Sequence, residues 1–337
     1  MLGKLPNEEL KKLLNCIRND QRVVVPPQLG FDAGVHMLDN DKCLVVSTDP
    51  CLGVPEEWFG WLMINYVASD IALFGAKTEF CTINLMGSPS TEPAVFHRAM
   101  RQACDAVNEL GIAVVTGHTG TYEGLSTLVG VCTGYGYIDR NRLVTPGDAK
   151  PGDHIVCIKP VGLEIAVNFA LTYRVLAEKL FGVQRTKGLA KLVKMQSCVK
   201  EALMLAEVEG VHALHDVTEG GLTAALNEMA EASNVGFDVV WEQLLVPEEV
   251  HVLRRFYGLS DVEVLSMSST GTVLAAVSPL ARDKVEAVLR QSGVEAKFLG
   301  SFTEEMRRVL VKNGKETVFP READDPYARI FQRNSGF

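Results

Sequence analysis

Leu44-Val45-Val46-Ser47-Thr48-Asp49 is an apolar run that closes on a carboxylate, and Asn65-Tyr66-Val67-Ala68-Ser69-Asp70-Ile71-Ala72 carries a second acid inside an apolar stretch. The first reads as a strand over residues 43–48. The second falls within residues 56–74, where Phe59, Leu62, Met63, Tyr66, Val67 and Ile71 recur at helical spacing. Gly75 fits the position just past the end of that helix. Upstream, Gly30-Phe31-Asp32-Ala33-Gly34-Val35 puts a third acid at the start of an apolar segment. Taken singly, each aspartate reads as a turn or cap residue. Taken together, acids at the ends of strands and helices can gather at one rim without breaking the apolar pattern. Such a set suits Mg²⁺ held against a polyphosphate, because Mg²⁺ prefers hard oxygen ligands and phosphate oxygens. In this order, Asp32, Asp49 and Asp70 favour a nucleotide site.

Working outward, residues 79–86 read as a strand, 93–110 as a helix, 112–116 as a strand and 127–138 as a long Gly-studded strand. This alternation indicates a layered α/β or α+β domain. Residues 145–153, Thr-Pro-Gly-Asp-Ala-Lys-Pro-Gly-Asp, are turn-formers throughout and mark a domain boundary. The alternation then restarts with a strand at 154–159 and helices at 164–180, 195–208 and 218–232. In the last of these, Thr218 is a possible N-cap and Glu219 lies in the first turn. Strands at 271–277, 296–302 and 308–311 surround a helix at 281–291. The expected division is an N-terminal domain over 1–144, a C-terminal domain over 152–320 and a tail over 321–337. The tail, from Pro320 on, is polar and expected to be loosely packed or draped over the surface.

The 337 residues, 47% hydrophobic and 22% charged, allow a large core. A formal net charge of -9 argues against a nucleic-acid or anionic-membrane surface, though not against ATP accompanied by Mg²⁺. Eight scattered cysteines with no C-x-x-C pair read as reduced, buried thiols. Met1-Leu2-Gly3-Lys4-Leu5-Pro6 shows no signal-peptide pattern, and no apolar run reaches the length of a membrane span. A cytoplasmic protein is expected.

Three further stretches carry polar groups in suggestive settings. Val114-Val115-Thr116-Gly117-His118-Thr119-Gly120 follows a strand and reads either as a ligand-approaching loop or as a plain junction. In it, His118 is either a hydrogen-bonded structural histidine or an acid–base group. His215-Asp216-Val217-Thr218-Glu219-Gly220-Gly221-Leu222 brings a polar strand end to a helix that starts with two glycines. That geometry exposes backbone N–H groups to an anion, unless Asp216 and Thr218 merely cap and the glycines merely pack. Ser266-Met267-Ser268-Ser269-Thr270-Gly271-Thr272 is hydroxyl-rich before a strand, and Lys159-Pro160-Val161-Gly162-Leu163-Glu164 opens a helix or forms a turn. The Walker-type phosphate loop, the dinucleotide fingerprint and the nucleophile elbow are all absent.

The ordered set, from about residue 28 to about 305, resembles the AIR synthase (PurM-like) superfamily and within it the HypE hydrogenase maturation branch. The resemblance implies a two-domain α+β fold whose N-terminal domain pairs in a homodimer through a shared β-barrel. ATP and Mg²⁺ are then expected in the cleft between domains. Asp32, Asp49 and Asp70 are the implied metal ligands. Gly117, His118, Thr119, Thr218, Gly220 and Gly221 join them around the nucleotide, with His118 and Asp216 as the catalytic candidates. The implied reaction is phosphorylation of an oxygen on a small-molecule or protein-borne acceptor, achieved by positioning and electrostatics. A catalytically inactive nucleotide-binding dimer and a kinase of the thiamine-monophosphate type are the alternatives.

Two departures from the family pattern bear on this. Thr116-Gly117-His118-Thr119 stands where the superfamily often has Gly-Gly-Asp-Thr, so an imidazole replaces a potential Mg²⁺ ligand. The tail has Ala328-Arg329-Ile330-Phe331 where HypE proteins end in Pro-Arg-Ile-Cys, so Phe331 replaces the carbamoyl-carrying thiol. A strap or lid is expected there in place of a covalent carrier.

Overall fold

The computed structural model describes residues 5–322 and 324–332, and the chain divides into two units. The N-terminal unit comprises Arg18–Pro27 and Asp32–Leu143; the C-terminal unit comprises the described residues up to Ile17, Gln28–Phe31 and those from Val144 on. Helix α1 (Asn7–Leu14) therefore groups with the C-terminal unit.

In the N-terminal unit, β1 (Val23–Val25), β2 (Gly34–Met37), β3 (Lys42–Cys51), α2 (Phe59–Leu73), β4 (Lys77–Gly87), α3 (Pro93–Leu110), β5 (Ala113–Thr121) and β6 (Val129–Asp139) follow in order. The strands make one sheet, β1-β2-β3-β6-β4-β5, antiparallel except for the β4–β5 pair. Helix α2 packs on β3, β6 and β4, and α3 packs on α2. Caught between layers, α2 buries every residue but Tyr66, which is why its apolar positions run all the way round. Side chains alternate across a strand, and the β6 glycines show which side the helix takes. A Cβ on Gly130, Gly134 or Gly136 would strike Met63, Val67 or Ile71 of α2. The odd residues of β6 and their cross-strand partners therefore face the other way. That second face carries Leu44, Val46, Phe80, Val131, Tyr135 and Tyr137, all half-exposed or exposed.

The C-terminal unit contains β7 (His154–Ile158), α4 (Leu163–Thr172), α5 (Arg174–Phe181), α6 (Val183–Ala190), α7 (Val199–Ala206), β8 (Val211–Asp216), α8 (Gly221–Ser233) and β9 (Gly236–Val240). These are followed by α9 (Glu248–Tyr257), α10 (Asp261–Leu265), β10 (Val273–Val277), α11 (Arg282–Ser292), β11 (Ala296–Thr303), β12 (Arg308–Lys312), β13 (Lys315–Val318) and α12 (Tyr327–Gln332). The seven strands order as β13-β12-β9-β11-β7-β10-β8, with β12–β9 the parallel pair. One core, including Ile155, Leu226, Met229, Phe237, Leu274 and Phe302, joins α8 to the sheet. A second, including Ile165, Phe169, Ala177, Val250, Leu253 and Ile330, joins α4, α5, α9 and α12.

Several expectations change. The helix expected over 164–180 breaks at Tyr173, whose φ of -114° and ψ of 51° end α4 and start α5. The helix expected over 218–232 begins only at Gly221, and Thr218 is not its cap: Gly220 is, with φ at +84°. Gly221 also has positive φ, so the chain reaches right-handed helical geometry later than the Thr218 pattern implied. Cys16 and Cys104 are exposed, while the other six cysteines are buried. The described tail is packed, not loose, with Pro326 and Ile330 buried; residues 333–337 lie outside the described residues. No helix among the described residues is long and apolar enough to cross a membrane.

Candidate functional site

In the N-terminal unit the sheet register gathers part of the expected acid set. Ser47 and Asp49 are two apart on β3 and so share a face, about 6.6 Å apart along the strand. Asp49 pairs with Cys132, which lies in the even, α2-facing row of β6. Asp70, buried on α2, accepts a hydrogen bond from the Ser47 hydroxyl at 2.6 Å. Asp49 and Asp70 thus lie on the same side of the sheet, with Ser47 between them. Asp32, half-buried, sits two residues before β2, whose Gly34 is opposite Val46 of β3.

The donors offered here are carboxylates and a hydroxyl, the hard oxygen set that Mg²⁺ takes. The nearby thiol does not compete. A hydrogen bond with Cys81, burial and the charges of Asp49 and Asp70 all hold Cys132 far above the usual thiol range, so it stays neutral. Asp49 and Asp70 offer oxygen ligands of the kind a hard cation takes.

His118 belongs elsewhere. It lies on β5, a strand and not the expected loop, opposite Asn84 of β4, which is itself opposite Val131. That row faces away from α2, so the imidazole is on the opposite face of the sheet from Asp49 and Asp70. It is exposed, and its Nε2 shares a hydrogen bond of 2.5 Å with the Tyr122 hydroxyl. Thr119 is exposed on the same edge strand. Gly117 has a packing reason of its own, since a Cβ there would come within 2.1 Å of the Ile83 carbonyl.

The C-terminal unit assembles the second set. Asp216 ends β8, is buried, and accepts from the Thr218 hydroxyl at 3.2 Å. His215 hydrogen-bonds Glu228 through Nε2 at 3.0 Å. The Gly220 N–H donates to a carboxylate oxygen of Asp325, and the Ser268 hydroxyl donates to the same oxygen. Gly221 is pressed against the Leu265 and Met267 carbonyls, where a Cβ would lie 2.6 and 2.5 Å away. The hydroxyl-rich segment therefore abuts the start of α8, and each hydroxyl has a defined use. Ser269 accepts from the Gly162 N–H at 2.6 Å, and Thr270 donates to Glu164 at 2.6 Å.

Two acids here escaped the sequence reading. Glu164 is the sole charged residue of α4 and is buried; burial pushes its carboxyl up to about 7, with Asp325 adding to the rise against the Thr270 hydrogen bond. The signal was a Glu, with Asn168 four residues on, inside an otherwise apolar helix. Asp325 comes from a tail that the sequence reads as polar surface, and burial raises its carboxyl as well. Lys159 is also buried, with φ at +72°, its ammonium 3.1 Å from Glu201 and donating to the Ser197 carbonyl at 2.7 Å.

Comparison with known proteins gives the family. The family model for the AIR synthase related protein N-terminal domain matches residues 30–136, and that for the C-terminal domain matches 150–312. This chain belongs to the AIR synthase related family. A hydrogenase expression/formation protein of Methanocaldococcus jannaschii is 25% identical over 333 residues, covering 96% of this chain and 94% of that protein. The carbamoyl dehydratase HypE of Cupriavidus necator is 28% identical over 298 residues, covering 87% of this chain and 79% of its own. A crystal structure of HypE in complex with ATP superposes with a TM-score of 0.70 at 21% identity, over 87% of this chain and 89% of that one. The two-domain α+β fold of the superfamily, near HypE, is thereby established for this chain.

Proposed function

We propose that this chain is an ATP-dependent enzyme that activates an oxygen of a small-molecule or protein-borne acceptor by phosphoryl transfer. The observation that carries the reading is the Asp49–Asp70 pair on the α2 face of the sheet, with the Ser47 hydroxyl fixing the Asp70 carboxylate at 2.6 Å. Asp49 and Asp70 would hold Mg²⁺, with Asp32 as the third carboxylate. A bound Mg²⁺ would neutralise phosphate charge and align the transferred group. The chain's own contribution is a partly buried pair of carboxylates carried on a strand and a helix, with Asp70 oriented by the Ser47 hydroxyl. In the C-terminal unit, Thr218, Gly220 and Gly221 supply the backbone geometry for an anionic oxygen at the start of α8. Asp216 is the proposed acid–base group of this step; His118, on the opposite face of the sheet from the Asp49–Asp70 pair, takes no part in it.

Support also comes from the relatives, one of which is a carbamoyl dehydratase and one a HypE crystallised with ATP. Carbamoyl chemistry on the tail is not proposed here, because Phe331 offers no nucleophile and stacks its ring on Tyr327, 4.3 Å between centroids.

A homodimer is part of the reading. The second sheet face presents Leu44, Val46, Val131 and Tyr135, and edge strand β5 leaves Val114 and Val115 exposed. An apolar face ending in an open strand edge is the arrangement that a second copy covers. Release of phosphate from ATP, measured with and without candidate acceptors, tests the reaction. Tight ATP retention with no turnover under any condition would replace it with a nucleotide-binding scaffold.

A further inference from the structure

The C-terminal tail is tied to its own unit by a series of specific contacts. At its base, the Pro320 carbonyl accepts from the Asn227 side chain at 2.9 Å, while Asn227 accepts from Arg308 at 2.6 Å. At its far end, Arg329 pairs with Glu263 at 2.6 Å, Ile330 is fully buried, and the Tyr173 hydroxyl donates to the Phe331 carbonyl. The Phe331 ring lies 5.7 Å from that of Tyr173. Between these anchors Asp325 turns inward. One oxygen accepts the Tyr327 N–H at 2.9 Å and starts α12; the other accepts from Gly220 N–H at 3.2 Å and from the Ser268 hydroxyl.

Gly220 N–H and Ser268 O–H are the donors that an incoming phosphoryl or carboxylate oxygen would use at the start of α8. They are already engaged by a carboxylate of the chain itself. We infer that the tail is an autoinhibitory strap, in which Asp325 holds the anion seat at Gly220 and Ser268 until an anionic ligand oxygen displaces it.

The neighbouring acids weaken the seat that Asp325 occupies. Asp325 is half-buried beside Glu164 and near Glu219, so its charge is seated against acidic neighbours. What keeps it there is the pair of hydrogen bonds from Gly220 and Ser268, with Ile330 and Phe331 anchoring the far end of the tail. An incoming anionic oxygen exchanges one set of charge-assisted hydrogen bonds for another. The identity of the displacing ligand as a nucleotide phosphate rests on the preceding section; the strap itself rests on the contacts just described.

The test compares the full chain with Asp325→Asn, which keeps the side-chain shape, and Asp325→Ala. Hydrogen exchange of residues 324–332 and 219–222 is followed before and after adding Mg·ATP or, separately, magnesium pyrophosphate. In the native chain either probe should speed exchange of 324–332; Asp325→Ala should show fast exchange from the start, and both variants, lacking the competing charge, should bind the probe at least fivefold more tightly. A response to pyrophosphate without any to ATP would remove the nucleotide reading and leave the strap standing. Tail exchange unmoved by both probes, or variants that bind no more tightly than the native chain, would overturn the strap.

Discussion

Replacing Glu164 by Gln should stabilise the protein at alkaline pH and do much less at acid pH. Glu164 is 8% exposed, and its carboxyl sits at about 7 against an ordinary 4.5. Below pH 4.5 the group is protonated whether the chain is folded or unfolded, and contributes nothing. Between 4.5 and 7 the unfolded chain gives up its proton while the folded chain keeps it, so stability falls as pH rises. Above 7 the folded chain carries a buried carboxylate at full cost. The shift corresponds to about 3 kcal/mol at about 1.4 kcal/mol per unit, an order-of-magnitude figure. Glutamine cannot ionise, yet its carbonyl can still accept from the Thr270 hydroxyl, so the variant loses the penalty while keeping the bond. Asp325, raised by the same burial, slopes the stability of both proteins alike, apart from its repulsion with Glu164. Urea unfolding of both proteins at pH 5 and pH 8.5 should show a variant advantage that grows by about 2.5 kcal/mol between the two. An advantage that does not change with pH would show that Glu164 is not the buried, ionisable group described here.

Other outcomes follow from the same contacts. Truncating Glu201 to Ala should cost about 3–5 kcal/mol, because it leaves the Lys159 ammonium buried beside no carboxylate; a loss below about 1 kcal/mol by chemical denaturation would contradict that pairing. Light scattering at micromolar concentration should return twice the 36.8 kDa chain mass, and a monomer would refute the covered sheet face. Placing Asp at both Val114 and Val115 should weaken that association, read as a shift toward monomer on dilution. Intact-mass measurement after mixing with ATP and a carbamoyl-transfer partner should find no adduct on the tail, since Phe331 stands where a thiol would be needed.

The legible parts of the fold are those fixed by local chemistry. Helix α3 runs from Pro93 to Leu110 as the sequence indicates, because Pro93 suits a first helical turn and Gly111, in left-handed geometry, suits its end. The break at Tyr173 was not legible. No Gly or Pro marks it, and part of what holds it is distant: Phe331 packs on the Tyr173 ring and accepts from its hydroxyl. The candidate site divides in the same way. Asp49 and Asp70 stand out as acids in apolar segments, and their shared side follows from strand alternation and a helix that packs on one face. The side on which His118 lies depends on the register of β5 against β4, and nothing in Thr116-Gly117-His118-Thr119 encodes that. Asp325 was hidden for the plainest reason: its partners Gly220 and Ser268 are 105 and 57 residues away in sequence.

The Asp49–Asp70 pair is the centre of the proposed site. Isothermal titration of Mg·ATP into Asp49→Asn, Asp70→Asn and, as a control, Asp105→Asn on the exposed face of α3 tests it directly. Each of the first two should bind at least tenfold more weakly than the native chain, about 1.4 kcal/mol, while the control binds as the native chain does. Native affinity in both Asp49→Asn and Asp70→Asn would contradict the site.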